Sequence, residues 1–314
     1  MRAFVQYFIL SAPLFAIVLA GFLVASWKYW NKNWTAWASK FVFNVALPAM
    51  LFHLMSDLRS MPPVKPNILL AFFGGGFVVF AAGRLFAARI FKLDGVAQSV
   101  FAMGGIFSNN VLLGLPLVKI TLGPTAVPSA ALIIVFNAFT LWTLVSISIE
   151  WAKHGSFSWR GMGKMALGVV TSPLVAGIVF GTLFGLSGLH LPSFADWVLK
   201  KLSDIAGPSA LLILGMGLVQ YGVRSGWQHS VTISTFKLLV FPAVVWALAM
   251  LLGLSPIETK AIVLLASMSI GANVYLMSMQ FQTMQSAIAS GMVLSTAAAA
   301  LTTPLFLAAM AAVL

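Results

Sequence analysis

Polar side chains able to hold a ligand fall mainly in two short stretches of otherwise apolar sequence. The first, GIFSNNVLLGLPLVK over residues 105–119, sets Ser108, Asn109 and Asn110 in a row, with Pro116 six residues on. The second, LLASMSIGANVYLMSMQF over 264–281, carries Ser267, Ser269, Gly271 and Asn273. Amides and hydroxyls can donate hydrogen bonds to an anion. They do so most effectively where a helix is interrupted, because the new N-terminus adds free N–H groups and the positive end of a dipole. A carboxylate fits such a set without a buried Arg or Lys, which would be expensive in the middle of a membrane when unoccupied. Neutral amides also release a ligand more easily than cations do. The same residues have a plainer use: Asn and Ser in membrane helices often only bond neighbouring helices, for under about 1 kcal/mol each. Their occurrence in two corresponding places favours binding.

Other chemistries find little support. The chain has no cysteine, and His53, His154, His190 and His229 are scattered, so no metal cluster is expected. There is no zinc-type His–Glu pair, no paired acidic motif, no Ser–His dyad and no Walker motif. An enzyme, a resident cofactor and ATP-driven transport are therefore not expected. No basic cluster is interleaved with exposed aromatics, which argues against nucleic acid.

The elements that must position these residues follow from composition. Of 314 residues, 61% are hydrophobic and 8% charged, with a mean hydropathy of +1.01. That much apolar surface needs lipid as its solvent. A spanning helix takes about 20 apolar residues. The sequence then reads as ten spans, roughly 5–27, 36–57, 66–91, 96–121, 126–150, 164–187, 194–222, 229–253, 256–281 and 284–313. The expected fold class is an all-α polytopic membrane protein. The first span is too long for a signal-peptide core and is retained as mature structure. Eleven of the 18 basic residues fall in loops after odd spans. Those loops are expected in the cytoplasm of a bacterial inner membrane, with both termini periplasmic. Trp27, Trp30, Trp34 and Trp37 read as an interfacial belt.

The ten spans look like a five-span unit written twice, residues 1–155 and 156–314. SAPLFAIVLAGFLV (11–24) and TSPLVAGIVFGTLF (171–184) align at an offset of 160, pairing Pro13, Leu14, Ala16 and Gly21 with Pro173, Leu174, Ala176 and Gly181. The same offset sets Asn44, Pro48 and Leu51 on Asp204, Pro208 and Leu211. In the polar patches the offset drifts, from 161 for Ser108 and Ser269 to 163 for Asn110 and Asn273. An odd number of spans per copy inverts the second copy, the pattern of many secondary transporters. Gly105 and Pro116, with Pro48 and Pro208, are the candidate break and hinge positions.

Four further residues stand out. His53 could carry a coupling proton or be a neutral, hydrogen-bonding core residue. Asp204 could be a proton or cation site, or a helix-start acid near the interface. Lys119 reads as snorkelling to the outer interface or as meeting an incoming anion, and Lys237 as snorkelling inward. With so few acids inside, a rich sodium site is not evident, although backbone carbonyls leave sodium open beside H+.

At these residues the chain resembles the auxin efflux carrier family, which includes plant PIN auxin exporters and bacterial malonate and malate permeases. FVFNVALPAMLFHLMS (41–56) is similar to the PIN second span, and SNNVLLGLPLVKITLG (108–123) to the family's Asn followed by Gly-hydrophobic-Pro-Leu-x-Lys. GANVYLMSMQF (271–281) resembles the bacterial ninth span, and FKLLVFP (236–242) the eighth. The resemblance implies inverted five-span repeats with crossovers in spans 4 and 9, and transport of a small organic anion. It places Asn109 on the PIN carboxylate-binding asparagine, Pro116 on the Gly-x-Pro element, and His53 and Lys119 on like residues. It further implies a scaffold of spans 1, 2, 6 and 7 and an elevator-type transport bundle of spans 3–5 and 8–10. Where PIN proteins have proline at both crossovers, this chain has Ser108 and Ser269. The expected function is a secondary carrier or facilitator of a carboxylate such as malonate, malate or an auxin-like acid. The alternative is a cation/proton exchanger or sodium symporter on the related crossover fold. The expected partners are the solute and the bilayer, with a homodimer left open.

Overall fold

The structure, a computed structural model, describes residues 2–27, 32–57, 65–154, 173–219 and 227–313. It is helical throughout, and the two breaks described below share an isolated backbone bridge. Among the described residues, six helices are long and apolar enough to cross a membrane: Ala3–Ser26, Asn33–Ser56, Asn67–Arg89, Ser193–Leu218, Trp227–Leu251 and Gln285–Val313. The expected spans 96–121 and 256–281 are divided into shorter helices. The expected span 164–187 is described only from residue 173, as the helix Pro173–Ser187.

In chain order the helices are α1 (Arg2–Ser26), α2 (Lys32–Phe41), α3 (Leu47–Ser56), α4 (Asn67–Arg89), α5 (Gly95–Gly104), α6 (Leu115–Thr121) and α7 (Val127–His154). They continue as α8 (Pro173–Ser187), α9 (Ser193–Leu218), α10 (Trp227–Thr235), α11 (Phe241–Leu251), α12 (Pro256–Ala266), α13 (Ala272–Gln280) and α14 (Gln285–Val313). Three π-turns, Val42–Ala46, Asn110–Gly114 and Phe236–Val240, each end two residues before a proline: Pro48, Pro116 and Pro242. The cause is steric. A proline ring collides with the carbonyl four residues back and offers no N–H to it. The helix widens instead, and the N–H of the residue before the proline bonds five back, as from Leu47 to Val42 and from Leu115 to Asn110. Asn44 lies in the first of these turns, on the exposed side. Pro208, the sequence partner of Pro48, instead lies inside α9, which runs unbroken.

Close helix contacts are made at glycines. A Cβ on Gly21 of α1 would lie 2.1 Å from the Leu212 carbonyl oxygen of α9, and one on Gly181 of α8 would lie 2.6 Å from the Phe52 carbonyl oxygen of α3. Such small-residue contacts let membrane helices approach backbone to backbone. Around α4, α5, α7, α11 and α12 the core is aliphatic and aromatic, with Phe72 edge-on to Phe241 at 5.3 Å between centroids. Trp27, Trp34 and Trp37 are exposed, in keeping with an interfacial belt, while Trp30 lies outside the described residues.

Candidate functional site

Two helix interruptions meet. After α5 the chain leaves the helix at Gly105 and resumes it at Asn110; after α12 it leaves at Ser267 and resumes at Ala272. Hydrocarbon has no partner for the backbone groups freed in this way, so they must be satisfied within the protein. The two breaks satisfy each other. Ser108 and Ile270 form an antiparallel bridge, in which the Asn109 N–H donates to the Ser269 carbonyl at 2.9 Å and the Gly271 N–H to the Phe107 carbonyl at 2.9 Å. The Ile270 N–H donates to Ser295 Oγ of α14 at 3.1 Å. Space is tight at Gly271: a Cβ there would lie 3.0 Å from the Phe107 ring and 3.1 Å from the Ser108 carbonyl oxygen.

The capping of the four half-helices differs between their outer and inner ends. The outer starts are capped: Asp94 accepts from the Val96 and Ala97 N–H groups at 2.9 and 3.0 Å, and Ser255 forms a reciprocal capping box with Glu258. At the inner starts Asn109 and Gly271 provide no side-chain cap. The first N–H groups of a helix lack intrahelical partners, and at these two starts no side chain meets them.

The side chains there are buried and under-satisfied. Ser108, Asn109, Asn110 and Ser269 are all buried. Ser108 Oγ, Asn109 Nδ2, Asn110 Nδ2 and Oδ1, and Ser269 Oγ have no protein hydrogen-bond partner. A buried polar atom left unpaired costs about 1–3 kcal/mol, so this concentration at one bridge calls for a partner from outside the chain. Asn137 Oδ1 and Thr259 Oγ1 are likewise unpaired. Asn273 is half-buried in the first turn of α13. In the bridge 108 opposes 270, a separation of 162 residues that falls between the two offsets the polar patches favour.

The remaining candidates separate from the crossing. His53 Nε2 pairs with Asp196 Oδ1 at 3.1 Å, joining α3 to the start of α9. Asp204 is not a helix-start acid: it lies inside α9, whose first-turn acid is Asp196. Nor does Lys119 simply snorkel outward, because its half-buried ammonium donates to Ser203 Oγ of α9 at 3.1 Å and interacts electrostatically with Asp204. The largest correction concerns Lys237. Instead of reaching the interface it is wholly buried and donates to the Ala266 carbonyl. Ser295 and Thr303, which brace the second break from α14, were also not singled out from the sequence. Their signal is the run of hydroxyls in SGMVLSTAAAALTT, spaced along an otherwise apolar span. No group of three or more His, Cys, Asp or Glu among the described residues could hold a metal ion.

The profile of the family described as "Membrane transport protein" matches residues 7–307, nearly the whole chain. The chain belongs to this family. It is the auxin efflux carrier family that the motifs resemble. A membrane transport protein of Rhizobium meliloti (strain 1021), named "Putative malonate transporter", is 26% identical over 295 residues, covering 91% of this chain and 90% of its own. An uncharacterized transporter of Methanocaldococcus jannaschii is 23% identical over 266 residues, with coverage of 80% and 82%. The chain is thus a multi-pass membrane transporter of the Membrane transport protein family and not an enzyme.

Proposed function

We propose that this transporter carries a small organic anion, a mono- or dicarboxylate of the malonate or malate class, by alternating access. The observation that carries the reading is the cluster of unpaired buried donors on Ser108, Asn109, Asn110 and Ser269, set between two uncapped helix starts. Neutral amides and helix N-termini together suit a carboxylate. No carboxylate side chain lies in either break, from 105 to 109 or from 267 to 271, which disfavours the cation-exchanger alternative.

The architecture proposed is ten spans in two inverted repeats, with broken spans 4 and 9 crossing at the bridge. Support comes from packing at matched glycines. Gly21 abuts Leu212; adding 160 to the first and subtracting 160 from the second gives Gly181 abutting Phe52, the contact found. A twofold exchange of the repeats requires such reciprocity. Packing groups α1 with α9 and α3 with α8 and α9, and α4 with α5 and α11 and α10 with α14, in line with a division into scaffold and bundle whose boundary includes the packing of α1 on α14. The second group would carry the site past the first in an elevator motion. Odd loops are placed in the cytoplasm on the eleven-to-seven bias of basic residues.

Uptake into proteoliposomes against a panel of mono- and dicarboxylates tests this reading. Saturable uptake of at least one of them is expected, and its absence across the panel with folded protein would remove the proposal. Coupling is read in the same system. If His53 or Asp204 carries the proton, His53→Gln or Asp204→Asn abolishes the response of uptake to an imposed pH gradient. Because His53 is tied to Asp196 between α3 and α9, the larger effect is expected from Asp204→Asn, whose carboxylate faces Lys119 across the proposed bundle–scaffold boundary. An unchanged pH response in both variants eliminates both residues as proton carriers.

A further inference from the structure

One buried charge has no role in the site as described. Lys237 lies in the π-turn Phe236–Val240 and is 0% exposed. Its ammonium lies 4.9 Å from the centroid of the Phe241 ring and donates to the carbonyl of Ala266, the last residue of α12. No carboxylate among the described residues is paired with it. A cation buried without an acid costs several kcal/mol unless other groups compensate. Here the compensation is a helix C-terminus, the end of the helix that carries about half a negative charge.

The carbonyls at that end can be followed one by one. Those of Val263 and Leu264 accept from the Ser267 N–H, that of Leu265 from the Met268 N–H, and that of Ser267 from Thr303 Oγ1 at 3.3 Å. The Ala266 carbonyl accepts from the ammonium. In interrupted membrane helices, C-terminal ends and unwound carbonyls of this kind are where sodium or a proton is coordinated. The first break has no counterpart, since positions 161 to 163 residues before Lys237 are Gly76, Gly75 and Gly74.

We infer that the Lys237 ammonium is a tethered cation occupying the carbonyl end of α12, the place a sodium ion would otherwise take, so that the carrier binds its anion beside a built-in positive charge and requires no sodium. The part concerning the anion rests on the proposed function; occupation of the cation site does not. The tethered charge lowers the net charge of the loaded site, and with it the penalty for moving a carboxylate through the low-dielectric interior. Aromatic contact with Phe241 adds cation–π stabilisation.

Two measurements on the full chain test this. In thermal unfolding of purified protein, the wild-type midpoint is expected to be equal in sodium chloride and choline chloride at matched ionic strength. Lys237→Ala is expected to unfold lower and to recover part of the loss in methylammonium or sodium chloride, whose cations refill the site. Lys237→Met, with the space filled by an apolar chain, is expected not to respond. Because no substrate is involved, this arm reads the cation site even if no carboxylate is carried. In proteoliposomes, wild-type malonate uptake is expected to be unaffected by removing sodium, and Lys237→Gln, which keeps a neutral donor to Ala266, to lose about tenfold or more, as expected for loss of one close charge interaction. Sodium-specific stabilisation of the wild type, a Lys237→Ala variant indifferent to both small cations, or wild-type uptake by Lys237→Gln would each overturn the inference. Should Lys237→Ala not fold, the Gln variant and the wild-type sodium comparison decide it.

Discussion

Replacing Asn109 by alanine is expected to abolish saturable carboxylate uptake while leaving the protein as stable as the wild type, or slightly more so. The two halves of this expectation have one cause. Asn109 Nδ2 is buried and makes no hydrogen bond within the protein, so in the empty carrier it contributes an unmet polar group, a liability of about 1–3 kcal/mol. Alanine removes that liability without taking a bond from any neighbour. The backbone N–H of residue 109, which holds the bridge through Ser269, is kept by any residue other than proline. With a carboxylate bound, the same amide gains a charge-assisted bond of about 1.5–3 kcal/mol, or roughly tenfold to more than a hundredfold in affinity. Asn109→Asp is the complementary test. It is nearly isosteric but brings a negative charge to the site, and is expected to lose uptake at neutral pH as completely as alanine does. Asn273→Ala should lose less, because Asn273 is half-buried at the edge of the crossing. A melt together with an uptake curve for each variant measures both halves. Wild-type kinetics in Asn109→Ala would remove this residue from the site.

Much of the fold was legible in the sequence because the relevant physics is local. Polar residues beside Pro116 in an apolar run predict an interruption, and the interruption is there. Of the three prolines that read as hinges, Pro48 and Pro116 each follow a π-turn, whereas Pro208 lies inside an unbroken helix; Pro242, which the sequence reading does not single out, follows a third π-turn. What was not legible depends on three-dimensional pairing. Whether Ser269 or Ile270 opposes Ser108 is set by backbone hydrogen bonds between segments 160 residues apart, which side-chain identity does not encode. Lys119 reads from the sequence as an interfacial lysine and His53 as a proton carrier or a hydrogen-bonding core residue, but their partners Ser203 and Asp196 lie on α9 and emerge only once α9 is packed. Lys237 is different, since its depth could have been read. It is the eleventh residue counted from the start of α10, about 15 Å along the helix at 1.5 Å per residue. A lysine stem does not span that distance to the interface, so burial against a helix end was the better expectation.

Gly215→Val is expected to be among the most destructive single changes in the chain, and Gly217→Val, two residues on in the same helix, to be tolerated. A Cβ at Gly215 would lie 1.9 Å from the Val18 carbonyl oxygen and 2.9 Å from the Phe22 nitrogen, both backbone atoms of α1. Backbone cannot rotate aside as a side chain can, so α1 would have to move off α9. That would also open the reciprocal contact, in which Gly21 sits under the Leu212 carbonyl. Ordinary overpacking in a core costs about 1–3 kcal/mol; a clash that separates two helix backbones is expected at or above the top of that range, and to appear as loss of monodisperse protein on extraction. At Gly217 a Cβ meets nothing within 4 Å, and the change from glycine within a helix is close to neutral by propensity, a few tenths of a kcal/mol. The pair thus separates close approach from helix propensity within one turn. If the proposed scaffold is the rigid member of the pair, Gly21→Val and Gly181→Val should both repeat the Gly215 result, the first through the Leu212 backbone of α9 and the second through Phe52 and Met55 of α3, because the two glycines are related by the 160-residue offset. A Gly181 variant as stable as the wild type, beside a Gly21 variant that fails, would break the reciprocity on which the inverted-repeat reading depends.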